Sequence, residues 1–283
     1  MEYRIEQETT LLDALEKCYP DSTRNTLRAM VRDGRVFLDD KLVTSASTPL
    51  APGQELRIGQ RQQKKVGPLK VVYEDRDLIV IDKPTGLLSV ATNFDSKNTA
   101  HAILKKQYSP KKIFVVHRLD QDTSGLMIFG LSEEAYEDLK AKLAAHDMQR
   151  IYYGIVEGKL TGKGTWTSYL SEDNNYLVHS SDDPNSGERA VTHYEAVLHR
   201  KEVTLVRFQL ETGKKNQIRV HTAEAGFPIY GDEKYGAVKP YARRLYLHAF
   251  ELRFRHPTTN KELCFTSPLP KEFLHTLSLP KFP

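Results

Sequence analysis

From Leu69 onward the chain repeats short apolar runs at a period of two. RIYYGIVEG, HYEAVLH, VTLVRFQLE and LYLHAFELRF each alternate inward and outward positions, the pattern of strands in a half-buried sheet. LKVVYE and DLIVID are β-branched runs joined by Asp75 and Arg76, and SEEAYEDLKAKLAAH has the apolar spacing of a helix capped by Ser132. Strands follow strands more often than they alternate with helices. The pattern therefore predicts an α+β fold with a mostly antiparallel mixed sheet and flanking helices.

The first sixty residues predict a separate small α+β unit. Thr10 caps a helix carrying Leu11, Leu12, Leu15 and Cys18, and Ser22 opens a second, TRNTLRAMVRDG, with Gly34 as its stop. VFLDDKLV is predicted as a tight hairpin and QELRI as a further strand. Arg24, Arg28 and Arg32 recur four apart on the second helix, opposite Leu27, Met30 and Val31. With Asp33 the sole acid between Ser22 and Leu38, this face is expected to bind RNA, with Arg24 and Arg28 as contacts. The layout resembles the S-four RNA-binding domain, except that Asp39-Asp40 stands where Asn-Gly or Asp-Gly is usual. Residues 61–68 belong to a stretch rich in Gln and Lys without hydrophobic period, a predicted basic linker. The expected division is thus 1–60, linker 61–68, and 69–283.

Composition excludes several classes. The 283 residues are 39% hydrophobic and 28% charged, ordinary for a soluble protein with a core. No apolar run approaches the roughly 20 residues of a membrane span, and the polar start MEYRIEQETT is unlike a signal peptide. Cys18 and Cys264 form no CxxC pair, and no HExxH occurs, so neither a disulfide framework nor a metal site is expected and a reducing cytoplasm fits. A net charge of +4 tilts the expected partner toward nucleic acid.

HRLDQDTSGL, residues 117–126, carries four ionisable side chains in a link between apolar runs, where turn residues alone would serve. Asp120 is predicted to end the incoming strand, followed by the hydrogen-bonding return Thr123-Ser124-Gly125. Such an aspartate either bonds its own turn backbone or acts as a nucleophile, and Asp122, deeper in the turn, suits the first role better.

HRLDxxTSGL matches the signature of RluA-type pseudouridine synthases, and four more blocks resemble that family in order. They are DLIVIDKPTGLLSV, RIYYGIVEG with Gly154 for the usual alanine, LETGKKNQIRVHTAEAGFPIYGDEKYG, and LYLHAFELRFRHP. Lys214-Lys215-Asn216 departs from the family's Arg-Thr-His. The resemblance implies the pseudouridine synthase fold with a catalytic cleft, and isomerisation of uridine in RNA without a cofactor. It assigns catalysis to Asp120, Tyr152 and Arg219. Tyr152 would stack on the base and move a proton, and Arg219, at a helix start, would pair bidentately with Asp120. Whether Asp120 attacks the sugar, the base, or assists elimination stays open. Substrate contacts are expected from Lys83, Gln217 and Arg118, the last filling the place of the flipped base. Ribosomal RNA is favoured over transfer RNA as partner, with a monomeric enzyme. A ribosome-assembly protein that binds RNA without chemistry would not need Asp120, Tyr152 and Arg219 together. A hydrolase would need a second carboxylate at a suitable spacing.

Overall fold

The computed structural model describes residues 2–20, 22, 24–32, 35–43, 45–59, 69–91, 98–174, 176–238, 242–280 and 282. The predicted linker 61–68 and the helix stop at Gly34 lie outside them. The chain divides into two compact units, Met1–Lys65 and Val66–Pro283. Among the described residues, no helix is long and apolar enough to cross a membrane.

The first unit contains β1 (Glu2–Arg4), β2 (Thr9–Thr10), α1 (Leu11–Cys18), α2 (Arg24–Arg32), β3 (Val36–Leu38), β4 (Lys41–Leu42), β5 (Pro49–Leu50) and β6 (Glu55–Ile58). Thr10 caps α1 as expected, its hydroxyl accepting from the Asp13 N–H at 3.3 Å. Leu11, Leu15, Leu27, Val31, Val36 and Leu56 close a core between the helices and the sheet β1-β6-β3-β4. The β3–β4 turn adopts the positive φ values its type demands, 48° at Asp39 and 61° at Asp40. Here aspartate replaces glycine with help from its own side chain. The Asp39 carboxylate accepts the Glu55 N–H at 2.9 Å and the Gln54 amide at 3.0 Å, and these bonds hold it below its ordinary pKa.

The second unit runs β7 (Lys70–Glu74), β8 (Leu78–Lys83), α3 (Ala100–Gln107), β9 (Phe114–Val115), β10 (Ser124–Gly130), α4 (Glu133–Ala144), β11 (Gln149–Glu157), β12 (Lys163–Glu172), β13 (Val178–Ser181), β14 (Glu188–Arg200), β15 (Val203–Leu210), α5 (Gln217–Glu224), β16 (Leu247–Arg255), β17 (Glu262–Thr266) and α6 (Lys271–Thr276). One sheet of 11 strands forms, in the order β13-β12-β14-β15-β11-β16-β10-β8-β7, with β17 on β16 and β9 on β10. Its pairings are antiparallel except for β10 beside β16. The α+β expectation holds.

Strands at the centre are buried on both faces. Ile79, Ile81, Met127 and Phe129 point into one core with Leu104 of α3 and Phe273 of α6, while Leu78, Val80, Leu126 and Ile128 point into a second beneath Leu139 of α4. The parallel seam sets Ser124 opposite His248 and Gly125 opposite Ala249. At Gly125 φ is 110°, and an added Cβ would lie 2.2 Å from the Ala249 carbonyl oxygen. Glycine alone meets both demands. Gly125→Ala is expected to cost about 3 kcal/mol or more, from overpacking and a left-handed backbone together. Denaturant unfolding measures it, and a loss below about 1 kcal/mol would mean the seam yields.

Candidate active site

The segment before Gly125 corrects one expectation. Asp120 does not end a strand, because β9 stops at Val115 and residues 116–123 run irregularly. Their backbone is satisfied by another loop. The Leu119 N–H donates to Ser89 Oγ at 3.0 Å, and that hydroxyl donates back to the Leu119 carbonyl at 2.6 Å. The Ile128 N–H donates to His117 Nε2 at 3.3 Å, and burial keeps this imidazole neutral, its pKa lowered to about 3. Asp122 is exposed, and its carbonyl accepts the Thr85 hydroxyl at 2.7 Å.

Lys83 is a second correction. It was expected on substrate, yet it is 0% exposed. Its ammonium donates to the carbonyls of Pro84 at 3.1 Å, Leu87 at 2.8 Å and Gln121 at 3.0 Å. All three protons are used, so Lys83 clamps the 83–87 turn to the loop that carries Asp120. Burial lowers its pKa to about 7, against the pull of Asp122 and Asp120.

Arg219 lies in the first turn of α5, after Asn216, which takes the left-handed conformation at φ 55°. Its bidentate partner is Asp232 rather than the expected Asp120. Nε donates to Asp232 Oδ2 at 2.6 Å and Nη2 to Oδ1 at 2.7 Å. Nη1 donates to Asn216 Oδ1 at 3.0 Å and stands 3.9 Å from Asp120 Oδ2. The guanidinium also lies over the Tyr235 ring, 5.0 Å from its centroid. Burial opposes the Arg219 charge, but Asp232, joined by Asp120 and Tyr235, more than offsets it and the pKa rises. Asp120 goes the other way from the usual paired carboxylate. Burial raises its pKa, Asp232 adds to the rise, and Arg219, Arg118 and Lys83 only partly oppose it.

Tyr152 projects from β11 beside a bulge against β16 and is buried, while Tyr153 packs edge-on against Phe250 and Phe282. Burial raises the Tyr152 pKa, with Arg150 opposing and Asp120 adding. The unusual Gly154 makes room. A Cβ there would come within 2.9 Å of Phe208 Cε2 and 3.1 Å of Ile229 Cδ1.

Asp120, Tyr152 and Arg219 line one cleft of about 420 Å³, together with Arg118, Arg150 and Gln217. Arg118 is exposed there and within electrostatic reach of Asp120. Gln217 was expected to touch substrate, but its amide is fully engaged. Oε1 accepts from Thr212 at 2.8 Å and the Lys214 N–H at 3.0 Å, and Nε2 donates to the Val191 carbonyl at 2.9 Å and Thr192 at 3.0 Å. It braces the 212–217 loop. Lys214 pairs with Glu188 and Lys215 with Glu172. In the first unit Arg24 donates to Glu16 and Asp13, each at 2.6 Å, so its charge is committed to α1. Arg28 is exposed, and the side chain of Arg32 lies outside the described residues.

Asp75, Asp77 and His256 form a cluster of metal-ligand composition. Protein donors occupy it: His256 Nε2 donates to Asp75 at 2.7 Å, Thr258 to Asp77 at 2.7 Å, and His256 Nδ1 accepts the N–H of Thr258 and Thr259. It serves as a turn brace. Sequence reasoning missed Asp232, Asn216, Tyr235 and Arg150. All four stood inside blocks quoted for the family resemblance, Arg150 as the basic residue two before Tyr152 and Asp232 as the first of two acids after Gly231, but nothing in the letters tied them to the cleft.

Carboxylate, tyrosine and arginine converge in one cleft beside the sheet of an α+β unit. The sequence model of a family described as RNA pseudouridylate synthase matches residues 77–224. Ribosomal large subunit pseudouridine synthase D of Vibrio cholerae is 32% identical, over 94% of this chain and 90% of that one. Its Pseudomonas aeruginosa counterpart is 33% identical, over 92% and 88%. In fold, human RNA pseudouridylate synthase domain containing 1 superposes with a TM-score of 0.61 at 20% identity, over 78% of this chain and 99% of that one. The chain belongs to the RNA pseudouridylate synthase family, whose members are isomerases.

The two neighbours of Asp120 push its titration in opposite directions. In Arg219→Ala its pKa rises further. In Asp232→Asn a repelling acid is gone and Arg219 is released toward Asp120, so the pKa falls. Carboxyl ¹³C NMR titration reads both, and shifts of the same sign would break this account.

Proposed function

We propose that this isomerase converts uridine to pseudouridine in large-subunit ribosomal RNA, with Asp120, Tyr152 and Arg219 as the catalytic set. The observation that carries the reading is Asp120 itself, a largely buried carboxylate held 3.9 Å from Arg219 in the cleft that Tyr152 lines. The bond from ring nitrogen to ribose breaks, the uracil turns, and a carbon–carbon bond replaces it. Asp120 supplies the negative group beside the anomeric carbon, much as retaining glycosidases supply one. Arg219, anchored by Asp232, keeps that carboxylate in place. Tyr152 lies against the base and takes part in moving the proton lost from carbon 5. The target nucleotide leaves its stack at a cost of a few kcal/mol, and exposed Arg118 fills the gap. The names of the Vibrio and Pseudomonas relatives support ribosomal RNA as the substrate.

Residues 1–60 are, in this reading, an S-four-like RNA-binding domain, tethered by linker 61–68 to the catalytic domain 69–283. Arg28 and Arg32 of this face are the phosphate contacts in this reading, and Arg24 donates to acids of α1. The enzyme acts as a monomer in the cytoplasm.

Tritium release from ribosomal RNA labelled at carbon 5 of uridine tests the activity. Asp120→Asn is expected to lose on the order of 10³-fold or more, while Asp122→Asn stays within about threefold of the parent. Equal losses would mean the wrong carboxylate has been assigned. Replacing Arg28 and Arg32 by Gln should lower the slope of log Kd against log salt by about 1 to 2. An unchanged slope would leave that helix face as plain solvated surface.

A further inference from the structure

Arg150 sits in the same cleft and has no role in the reaction outlined above. It is 6% exposed. Such a guanidinium normally has a carboxylate partner, because a buried charge is costly unless paired. Arg150 has none among the described residues. Its side-chain hydrogen bond is a long one, Nη2 to the Glu211 carbonyl at 3.4 Å. Nε has no acceptor.

The acids that could have paired with it are spoken for. Asp120 and Glu211 line the cleft, against the cations Arg118, Lys140, Arg150, Lys214 and Arg219. Asp120 faces Arg219, and the Glu211 carboxylate turns away to Arg189 at 3.2 Å and His193 at 3.5 Å. The guanidinium is seated against bare backbone, since a Cβ on Gly213 would come 2.5 Å from its Nη1. Among the described residues, the buried side-chain atoms lacking a hydrogen-bond partner are Arg150 Nε and Thr123 Oγ1, and both residues line this cleft. Unmet polar groups concentrate where substrate enters.

We propose that Arg150 binds a phosphodiester of the RNA strand in the cleft, the phosphate next to the nucleotide that Asp120 acts on. This rests on the isomerase reading. Uracil and ribose are neutral when they bind, so the phosphate is the one substrate group that offsets a fixed buried cation in the ground state. A planar fork suits two phosphate oxygens. Lys140, exposed on α4 and lining the same cleft, continues the positive path to solvent.

The test uses the full chain and an unmodified large-subunit ribosomal RNA transcript labelled with tritium at carbon 5 of uridine. Arg150→Met is expected to raise KM and Kd about 10- to 100-fold, the worth of a charge-assisted hydrogen bond, with the loss carried mainly by KM. The slope of log Kd against log salt should fall by about 0.7 to 0.9, one phosphate contact. Arg150→Lys should keep that slope with a smaller rise in KM. The Met variant should melt no lower than the parent, because an unpaired buried charge has been removed. A merely structural arginine would show the reverse, with lower melting temperature and an unchanged salt slope, and that result overturns the proposal. So does a loss confined to kcat, which would put Arg150 on the base or on Tyr152. If the parent releases no tritium, the isomerase reading fails by itself, and the Kd and salt-slope measurements still decide Arg150.

Discussion

The forked pair between Arg219 and Asp232 is the contact on which the cleft depends. An arginine given wholly to Asp120 would hold that carboxylate firmly anionic and leave little of it for a substrate. Here Asp232 takes Nε and Nη2, and Asp120 meets the remaining nitrogen across 3.9 Å. The cation arrives already half neutralised. Burial can then win at Asp120, and its carboxyl sits above the ordinary range despite three cations nearby. Asn216 and Tyr235 complete the arrangement, the first bonding Nη1 and the second lying beneath the guanidinium. In the proposed reaction, a carboxylate that works beside the anomeric carbon is better left loosely compensated than locked in an ion pair.

What could be read in the sequence was what short-range physics decides. Thr10 and Ser132 cap their helices because each cap is a contact three residues long. Strand alternation appears in the letters because it follows from the pleat. That Asp120, Tyr152 and Arg219 belong together was also legible, though through resemblance to a family and not through any period, and they do line one cleft. Long-range polar bonding was not legible. Asp120 looked like a strand end because FVV precedes it, but its loop bonds to Ser89, thirty residues away. Lys83 and Gln217 looked like substrate ligands because they stand in blocks that resemble the family's. Their burial depends on carbonyls that the fold brings from Gln121 and Val191. The partner of Arg219 was equally hidden, since nothing in spacing distinguishes Asp232 from Asp120.

The hairpin of the first unit makes the same point in reverse. Asp39-Asp40 reads as a weak turn by residue preference, and Glu55 of the neighbouring strand and Gln54 just before it supply donors that offset this. Local propensity set the expectation, and a cross-strand contact changed its sign.

Gly154 has a consequence for how this chain can diverge from its relatives. The space an alanine methyl would fill is held here by the edge of Phe208 and the tip of Ile229. The three positions therefore share one fixed volume, and a change at any of them limits what the others can be. Trimming Phe208 or Ile229 first would open a gap beside Gly154 that an alanine methyl could then fill. The opposite order passes through a clash. Gly154 is thus tied to the packing beneath it, in a strand whose next-but-one neighbour, Tyr152, lines the cleft.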